Sequence, residues 1–152
     1  MSNDKLQMKE EIIKLIKRSL MEDIGSGDIT TEAVIPAGQK AKAVITAKED
    51  GVIAGLAVAQ EVFRQVDKRI RFTAKVKDGA EIKKGAVIAL LSGPARGILT
   101  GERVALNFLQ HLSGIATLTR KFNDKCQMSN VKCRTKLLDT RKTTPGLRVL
   151  EK

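Results

Sequence analysis

The segment from Arg69 to Val76 reads Arg-Ile-Arg-Phe-Thr-Ala-Lys-Val, and apolar side chains occupy every second position of it. A strand turns successive side chains to opposite faces of its sheet, so this period of two predicts a strand with one buried face. The inward side chains would be those of Ile70, Phe72, Ala74 and Val76. The outward side chains would be those of Arg69, Arg71, Thr73 and Lys75, which leaves the other face of this strand to solvent.

Two further segments before and after this strand also favour strands. Between Lys40 and Lys48 the inward positions are Ala41, Ala43, Ile45 and Ala47. The apolar run from Ala86 to Leu91 predicts another strand, which we expect Ser92-Gly93-Pro94 to end. A shorter apolar segment, residues 52–54, lies between two glycines.

Helical spacing of apolar side chains predicts three helices around these strands. The first spans Lys5 to Asp23, with Ile12, Ile13, Ile16 and Leu20 on one face. The second spans Leu56 to Val66. The third runs from Arg96 to about Met128, and we expect it to break near Ser113-Gly114. Helices mixed with short strands predict a small α+β layer in the first part of the chain.

The last part of the chain has a different pattern. The run Lys136 to Asp139 predicts a short apolar strand, and a helix-like segment opens at Leu147. A strand followed by the start of a helix is the first unit of a β/α repeat, and a single unit cannot bury its own faces. We therefore expect the chain to reach the threshold of a second domain, incomplete where the sequence ends.

Charge is unevenly distributed along the 152 residues, which carry 28 Lys and Arg against 17 Asp and Glu. Residues 120–152 alone hold 10 basic and 3 acidic side chains, so we expect an anionic partner at this end. No apolar run is as long as a membrane span. Two cysteines, Cys126 and Cys133, form no CxxC pair, which favours a reducing, cytoplasmic setting, and we assign no metal ligand.

The densest group of candidate binding residues runs from Asp139 to Gly146 and reads Asp-Thr-Arg-Lys-Thr-Thr-Pro-Gly. Side chains at the C-terminal end of a barrel strand face the mouth where substrates bind. Arg141 can place two N–H donors on a carboxylate or phosphate, and Lys142 adds a mobile point charge. Residue types alone leave a solvated basic loop open as the alternative.

A second group lies on the long predicted helix. Gly101-Glu102-Arg103 is followed one turn later by Asn107 on the same face. Taken alone, these residue types favour ordinary surface pairs. We interpret His111, further along the helix, as a polar-face or packed histidine, because the sequence assigns it no partner carboxylate.

Three blocks of the sequence, taken together, are similar to a known family. They are Glu22 to Thr31, Gly101 to Thr117, and Asp139 to Arg148. In this order they resemble the quinolinate phosphoribosyltransferases. The resemblance implies an N-terminal α+β sandwich domain with its linking helix over residues 1–112. It also implies that residues 113–152 form the beginning of an open α/β barrel, which is incomplete here. It also implies conversion of quinolinate and phosphoribosyl pyrophosphate to nicotinate mononucleotide, pyrophosphate and carbon dioxide in NAD biosynthesis, with Mg²⁺ as the cofactor.

The resemblance also implies roles for four residues. Arg141 matches the family's quinolinate-binding arginine, and Thr140 and Lys142 match its neighbours at the substrates. Arg103 matches an arginine that the family inserts into the neighbouring subunit's active site, which implies a homodimer. No catalytic residue is assigned. A His-Arg pair, a later lysine and the acidic residues that hold ribose and Mg²⁺ have no counterpart here, so we expect the 152 residues to be a truncated, inactive part of the enzyme.

Two alternatives to this interpretation remain. One is a related phosphoribosyltransferase-like protein found with molybdate transport genes, whose substrate is uncertain; only Arg103 and Arg141 favour quinolinate over it. The other is a basic module for nucleic acid, suggested by the net charge of +11. The absence of Trp and Tyr, and of any nucleic-acid motif, argues against this second alternative.

Overall fold

The computed structural model describes residues 3–128 and 136–152, so that Cys133 lies outside the described residues. In chain order, its helices are α1 Asn3–Ile24, α2 Ile29–Val34, α3 Leu56–Val66, α4 Ala95–Met128 and α5 Arg148–Glu151. Its strands are β1 Lys40–Thr46, β2 Gly51–Val52, β3 Arg71–Ala74, β4 Glu81–Ile82 and β5 Val87–Pro94. In these two ranges no helix is long and apolar enough to cross a membrane.

The main sheet has three antiparallel strands in the order β1-β5-β3, and β2 pairs with β4 in a separate two-stranded ladder. Leu91 of β5 lies opposite Ala43 on one side and Phe72 on the other. This row belongs to the hydrophobic core, whereas the next row, which includes Val44 and Leu90, is exposed. The sheet therefore buries one face and leaves the other to solvent, as alternation along an antiparallel sheet allows.

The core lies between the buried face of the sheet and the helices. Helix α3 packs against both α1 and α4, and α4 also contacts β1, β2 and β5. Phe63 of α3 is 2% exposed, and its ring stacks on that of Phe72 with centroids 6.0 Å apart. Gly101 of α4 permits this packing, because a Cβ there would lie 3.0 Å from the Phe63 ring.

Several expected elements are confirmed. Helix α3 begins and ends at the predicted residues, and the strand predicted from Lys40 follows the expected alternation of burial. Two details of the sheet were wrong. Ala74 is exposed rather than inward, because it is the last residue of an edge strand. Strand β5 continues through Pro94, since residues 92–94 pair with the first three residues of β1.

Helix α4 is continuous for 34 residues, and the predicted break at Ser113-Gly114 was wrong. The hydroxyl of Ser113 accepts a hydrogen bond from the Ala54 N–H at 3.0 Å. The hydroxyl of Thr117 accepts one from the Val52 N–H at 2.8 Å. These polar side chains satisfy backbone groups of the neighbouring extended segment, so they are compatible with an unbroken helix.

The strand predicted at Lys136 to Asp139 was also wrong. Residues 136–140 have no regular structure, and Leu138 is 84% exposed. A strand needs a partner for its backbone hydrogen bonds, and no strand of the described ranges pairs with this segment. The helix-like start at Leu147 is confirmed, because Leu147 precedes α5 and packs with Leu150 against the core. The division into residues 1–112 and 113–152 stays a prediction.

Candidate substrate-binding site

A cleft of about 780 Å³ lies beside α1 and the middle of α4. Its lining residues come from three distant parts of the chain: Ser19, Glu22, Asp23, Arg103, Val104, Asn107, Phe108, Gln110, His111 and Leu147. The block from Glu22 to Thr31 supplies two acidic residues, and the block from Gly101 to Thr117 supplies one face of α4. The block from Asp139 to Arg148 supplies Leu147. The cleft therefore joins all three blocks that carry the family resemblance.

Arg103 is the basic residue of the cleft lining. Its Nη1 lies 3.4 Å from Oδ1 of Asp23, and its side chain is 73% exposed. Exposed ion pairs of this kind contribute little to stability, so an anionic ligand can compete with Asp23 for the guanidinium. The predicted surface position of Arg103 is confirmed, and the position leaves the group available for binding.

Asp28 connects the turn after α1 to the beginning of α4. One of its carboxylate oxygens accepts a hydrogen bond from the Thr31 N–H at 3.1 Å and caps α2, while the other accepts from the Thr100 hydroxyl at 3.2 Å. The hydrogen bonds from Thr31 lower the pKa of Asp28, with smaller contributions from Thr100 and the positive charge of Arg103. This contact holds the first sequence block against the helix that carries Arg103.

The basic loop at residues 140–142 lies outside the lining of this cleft. Thr140, Arg141 and Lys142 are all exposed, and the Lys142 N–H donates to the Thr140 hydroxyl at 3.2 Å. Arg148 of α5 donates from Nη2 to the backbone carbonyl of Arg141 at 3.2 Å. The structure thus gives the loop a defined shape but does not bring Arg141 together with Arg103.

His111 has a carboxylate partner that sequence reasoning missed. Its Nε2 lies 2.7 Å from Oε1 of Glu151, and Oε2 of Glu151 accepts a hydrogen bond from the Thr144 N–H at 3.0 Å. These bonds, first that from Thr144 and then that from His111, lower the pKa of Glu151. The interpretation of His111 as a polar-face histidine is confirmed by its 40% exposed side chain, and the structure adds the partner that the sequence could not assign. No periodicity relates positions 40 residues apart, so the sequence carried no signal for the pair.

The described residues do not suit a protein-held metal ion. Among them, no group of three or more His, Cys, Asp or Glu side chains lies close enough to hold one. A Mg²⁺ ion commonly takes most of its ligands from substrate phosphates and water. Phosphate-bound Mg²⁺ is therefore the form that would be compatible with this part of the chain.

Two family models match consecutive parts of the chain. Residues 28–113 match the family Quinolinate phosphoribosyl transferase, N-terminal domain, and residues 115–152 match Quinolinate phosphoribosyl transferase, C-terminal domain. The architecture is thus that of a two-part protein in which a sheet-containing domain precedes an α/β barrel. This chain contains the sheet-containing domain and the start of the barrel domain. More particularly, the chain belongs to the quinolinate phosphoribosyl transferase family.

Individual relatives agree with this assignment. The probable nicotinate-nucleotide pyrophosphorylase [carboxylating] of Bacillus subtilis is 45% identical over 151 residues, which are 97% of this chain and 48% of that protein. Quinolinate phosphoribosyltransferase [decarboxylating] 1b of Nicotiana tabacum is 40% identical over 91% of this chain and 38% of its own length. The structure of the nicotinate-nucleotide pyrophosphorylase from Francisella tularensis superposes with a TM-score of 0.85 at 39% identity, covering 93% of this chain and 49% of that one. The chain spans about half the length of these relatives, or less.

Proposed function

We propose that this chain comprises the sandwich domain and the beginning of the barrel domain of an enzyme. This enzyme converts quinolinate and phosphoribosyl pyrophosphate to nicotinate mononucleotide, pyrophosphate and carbon dioxide. The observation that supports this most directly is the convergence of the three family blocks on one cleft. Residues that are more than a hundred positions apart in the sequence have no local reason to meet. A shared binding region explains their meeting.

The charges of the described residues suit these substrates. Quinolinate carries two carboxylates, and the other substrate carries a phosphate and a pyrophosphate. Phosphoribosyl transfer passes through an oxocarbenium-like centre, so it depends on alignment and on stabilising the leaving pyrophosphate more than on a protein nucleophile. We propose that Arg141 binds a carboxylate of quinolinate, while Thr140 and Lys142 contact the substrates beside it. The exposure of all three side chains supports this role.

The second step is loss of the 2-carboxylate, which leaves carbanion character beside the ring nitrogen. That nitrogen is cationic once it is ribosylated, and it stabilises the carbanion itself. The protein's task in this step is therefore to hold the ring in place. A two-pronged hydrogen bond from an arginine such as Arg141 fixes both position and orientation of a carboxylate.

We propose further that the enzyme is a homodimer in which Arg103 reaches the neighbouring active site. Arg103 lies in the cleft lining whereas Thr140, Arg141 and Lys142 do not. Arg103 is also highly exposed, and Leu99 one turn earlier on α4 is 43% exposed. An apolar side chain next to an available guanidinium is suited to contact with a second copy. Mg²⁺ bound to phosphoribosyl pyrophosphate and a cytoplasmic location remain parts of this proposal.

The proposal can be tested by grafting. Residues 1–152 of this chain replace the matching half of the Bacillus subtilis relative, and the purified graft is assayed with phosphoribosyl pyrophosphate and Mg²⁺, with quinolinate, with nicotinate and without a base. We expect turnover of quinolinate alone. The unaltered relative is the control for the assay, and size-exclusion chromatography reports whether the graft folds and dimerises.

Two outcomes would contradict the proposal. A folded graft that turns over nicotinate but not quinolinate would indicate a related transferase with another substrate. Sequence-selective, nanomolar binding of DNA or RNA by the 152-residue chain at about 150 mM salt would instead support a nucleic-acid module, because purely electrostatic binding under these conditions has a Kd of roughly 10⁻⁴ to 10⁻⁶ M.

A further inference from the structure

Glu151 makes two contacts that connect different parts of the chain. One carboxylate oxygen bonds His111 on α4 at 2.7 Å, and the other accepts from the Thr144 N–H at 3.0 Å. The Glu151 side chain is 8% exposed, whereas that of His111 is 40% exposed. A largely buried carboxylate needs partners for both of its oxygens, and here each oxygen has one.

The same short helix holds the basic loop at another point. Arg148, three residues before Glu151, donates to the Arg141 carbonyl at 3.2 Å and to the Thr143 hydroxyl at 3.4 Å. Helix α5 therefore contacts the backbone on both sides of Lys142. Arg148 and Glu151 both bond the basic loop. Of the two, Glu151 also bonds α4, so it makes a polar connection between the loop and the long helix.

We propose that Glu151 is a positioning residue, which fixes the conformation of the Thr140–Lys142 segment by joining it to α4 through His111. This inference rests on the proposed function, because that function makes the Thr140–Lys142 segment a substrate contact. Arg141 can bind a carboxylate with two donors only when its backbone is held in one place. A bond from Glu151 to Thr144 constrains that backbone three residues away.

His111 is the α4 end of this connection. Its side chain is 40% exposed, so it can be replaced without leaving a buried cavity. Glu151 is the buried end, and removing its charge leaves both of its partners with a weaker acceptor.

The chain offers an unusually clean measurement of this connection, because His111 is its one histidine. In the ¹⁵N-labelled 152-residue protein, the ring Cε1 proton reports His111, while backbone amide signals report Thr144 and Arg141. We expect His111→Ala to shift the amide signals of Thr144 and Arg141 in the unaltered chain, because it removes the α4 partner of Glu151. In the Glu151→Gln background, His111→Ala should no longer shift these two signals.

Hydrogen exchange gives a second measurement of the same contact. Loss of one charge-assisted hydrogen bond should speed exchange of the Thr144 amide by about tenfold in Glu151→Gln. His111→Ala, at an exposed helix position, should also speed exchange of the Thr144 amide without unfolding α4. Glu102→Gln, which removes an exposed carboxylate from the same helix, is the matched control and should change none of these signals.

The outcomes separate this inference from the proposed function. If His111→Ala leaves the Thr144 and Arg141 signals unchanged in the unaltered chain, or shifts them equally in the Glu151→Gln background, Glu151 does not position the loop. Millimolar quinolinate is then added to the unaltered chain and to Glu151→Gln. Weaker shifts of the Arg141 and Lys142 amides in the variant support both proposals. No shift in the unaltered chain, with the coupling between His111 and the loop intact, counts against the function proposed for the loop and not against the role of Glu151.

Discussion

Phe63 shows how much of the fold's stability depends on a single side chain. It is 2% exposed, stacks on Phe72, and lies against α4 where Gly101 has no side chain. Phe63→Ala would leave a cavity that these neighbours cannot fill without moving. We expect it to lower the free energy of unfolding by about 3–5 kcal/mol, measured by urea denaturation followed by circular dichroism.

The control for Phe63 is Phe122 on the same chain, whose side chain is 53% exposed. Truncating an exposed phenylalanine removes little buried area, so Phe122→Ala should change the free energy of unfolding by about 0.5 kcal/mol or less. Equal effects of the two substitutions would show that the packing of Phe63 against Phe72 is not the source of stability.

Arg141 is the residue on which the proposed chemistry depends most. In the graft described above, Arg141→Ala should lower kcat/KM for quinolinate by a factor that corresponds to about 2–4 kcal/mol of transition-state stabilisation. The fold should be unchanged, because the side chain is exposed. Lys17→Ala removes an equivalent charge from an exposed position on α1 and should leave the kinetics unaltered. An unchanged kcat/KM for Arg141→Ala would exclude this residue from the site.

Helix α2 depends on the ionised form of its capping residue. The hydrogen bonds that Asp28 accepts lower its pKa, so its contribution to stability is present above the ordinary pKa of an aspartate and is lost as the pH falls through the lower value. Asn also caps helices but does not titrate in this range. We therefore expect the difference in melting temperature between the unaltered chain and Asp28→Asn to shrink as the pH is lowered from 6 toward 3. A constant difference would show that the charge of Asp28 has no role.

The start of α3 requires a glycine for two separate reasons. Gly55 has a φ of 95°, and a Cβ there would lie 2.7 Å from Cδ1 of Leu112 on α4. Gly38 has a similar φ of 87°, but nothing lies within 4 Å of its Cβ position. Gly38→Ala should therefore cost only the backbone strain, about 1 kcal/mol, and Gly55→Ala should cost more, about 2–3 kcal/mol. Urea denaturation of both variants measures the difference, and equal costs would contradict the close approach of α3 to α4.

The sequence could predict elements whose side chains repeat with one period, and α3 and β1 are of this kind. It could not predict elements that depend on a distant partner. Ser113 and Thr117 resemble residues that interrupt a helix until the backbone of residues 52–54 is placed beside them. The segment at Lys136 has the composition of a strand, yet none of the described strands pairs with it.

The same limit applies to the candidate site. Arg103, Thr140, Arg141 and Lys142 could be proposed as site residues because their neighbours along the chain form recognisable blocks. The pair of His111 and Glu151 could not be found, since neither residue is distinctive alone and the fold brings them together. What the structure adds is therefore the arrangement of the blocks around one cleft and the hydrogen bonds that hold the basic loop.

For the molecule as a whole, the proposed dimer makes a prediction about mixtures. Grafted proteins with Arg103→Ala or with Arg141→Ala should each be inactive alone, because each lacks one part of a composite site. In a mixed dimer, one site collects both substitutions and the other collects neither. Mixing should therefore restore up to about half of the unaltered activity per mixed dimer, if subunits exchange fully and the two sites act independently.

Mass spectrometry can confirm that the subunits have exchanged. In the control, each inactive variant is taken through the exchange procedure alone, and it should recover no activity. Exchange without recovery of activity would mean that Arg103 serves its own subunit or no site at all.

The unbroken course of α4 sets a strict geometric relation between the two parts of the molecule. From Arg103 to Met128 the helix rises about 38 Å, and each residue turns its successor by about 100°. An insertion or deletion of one residue after Thr117 would leave the sandwich intact but rotate the helical residues beyond it by more than a quarter of a circle. The number of residues in this helix consequently fixes the direction in which its last turns face relative to the sandwich.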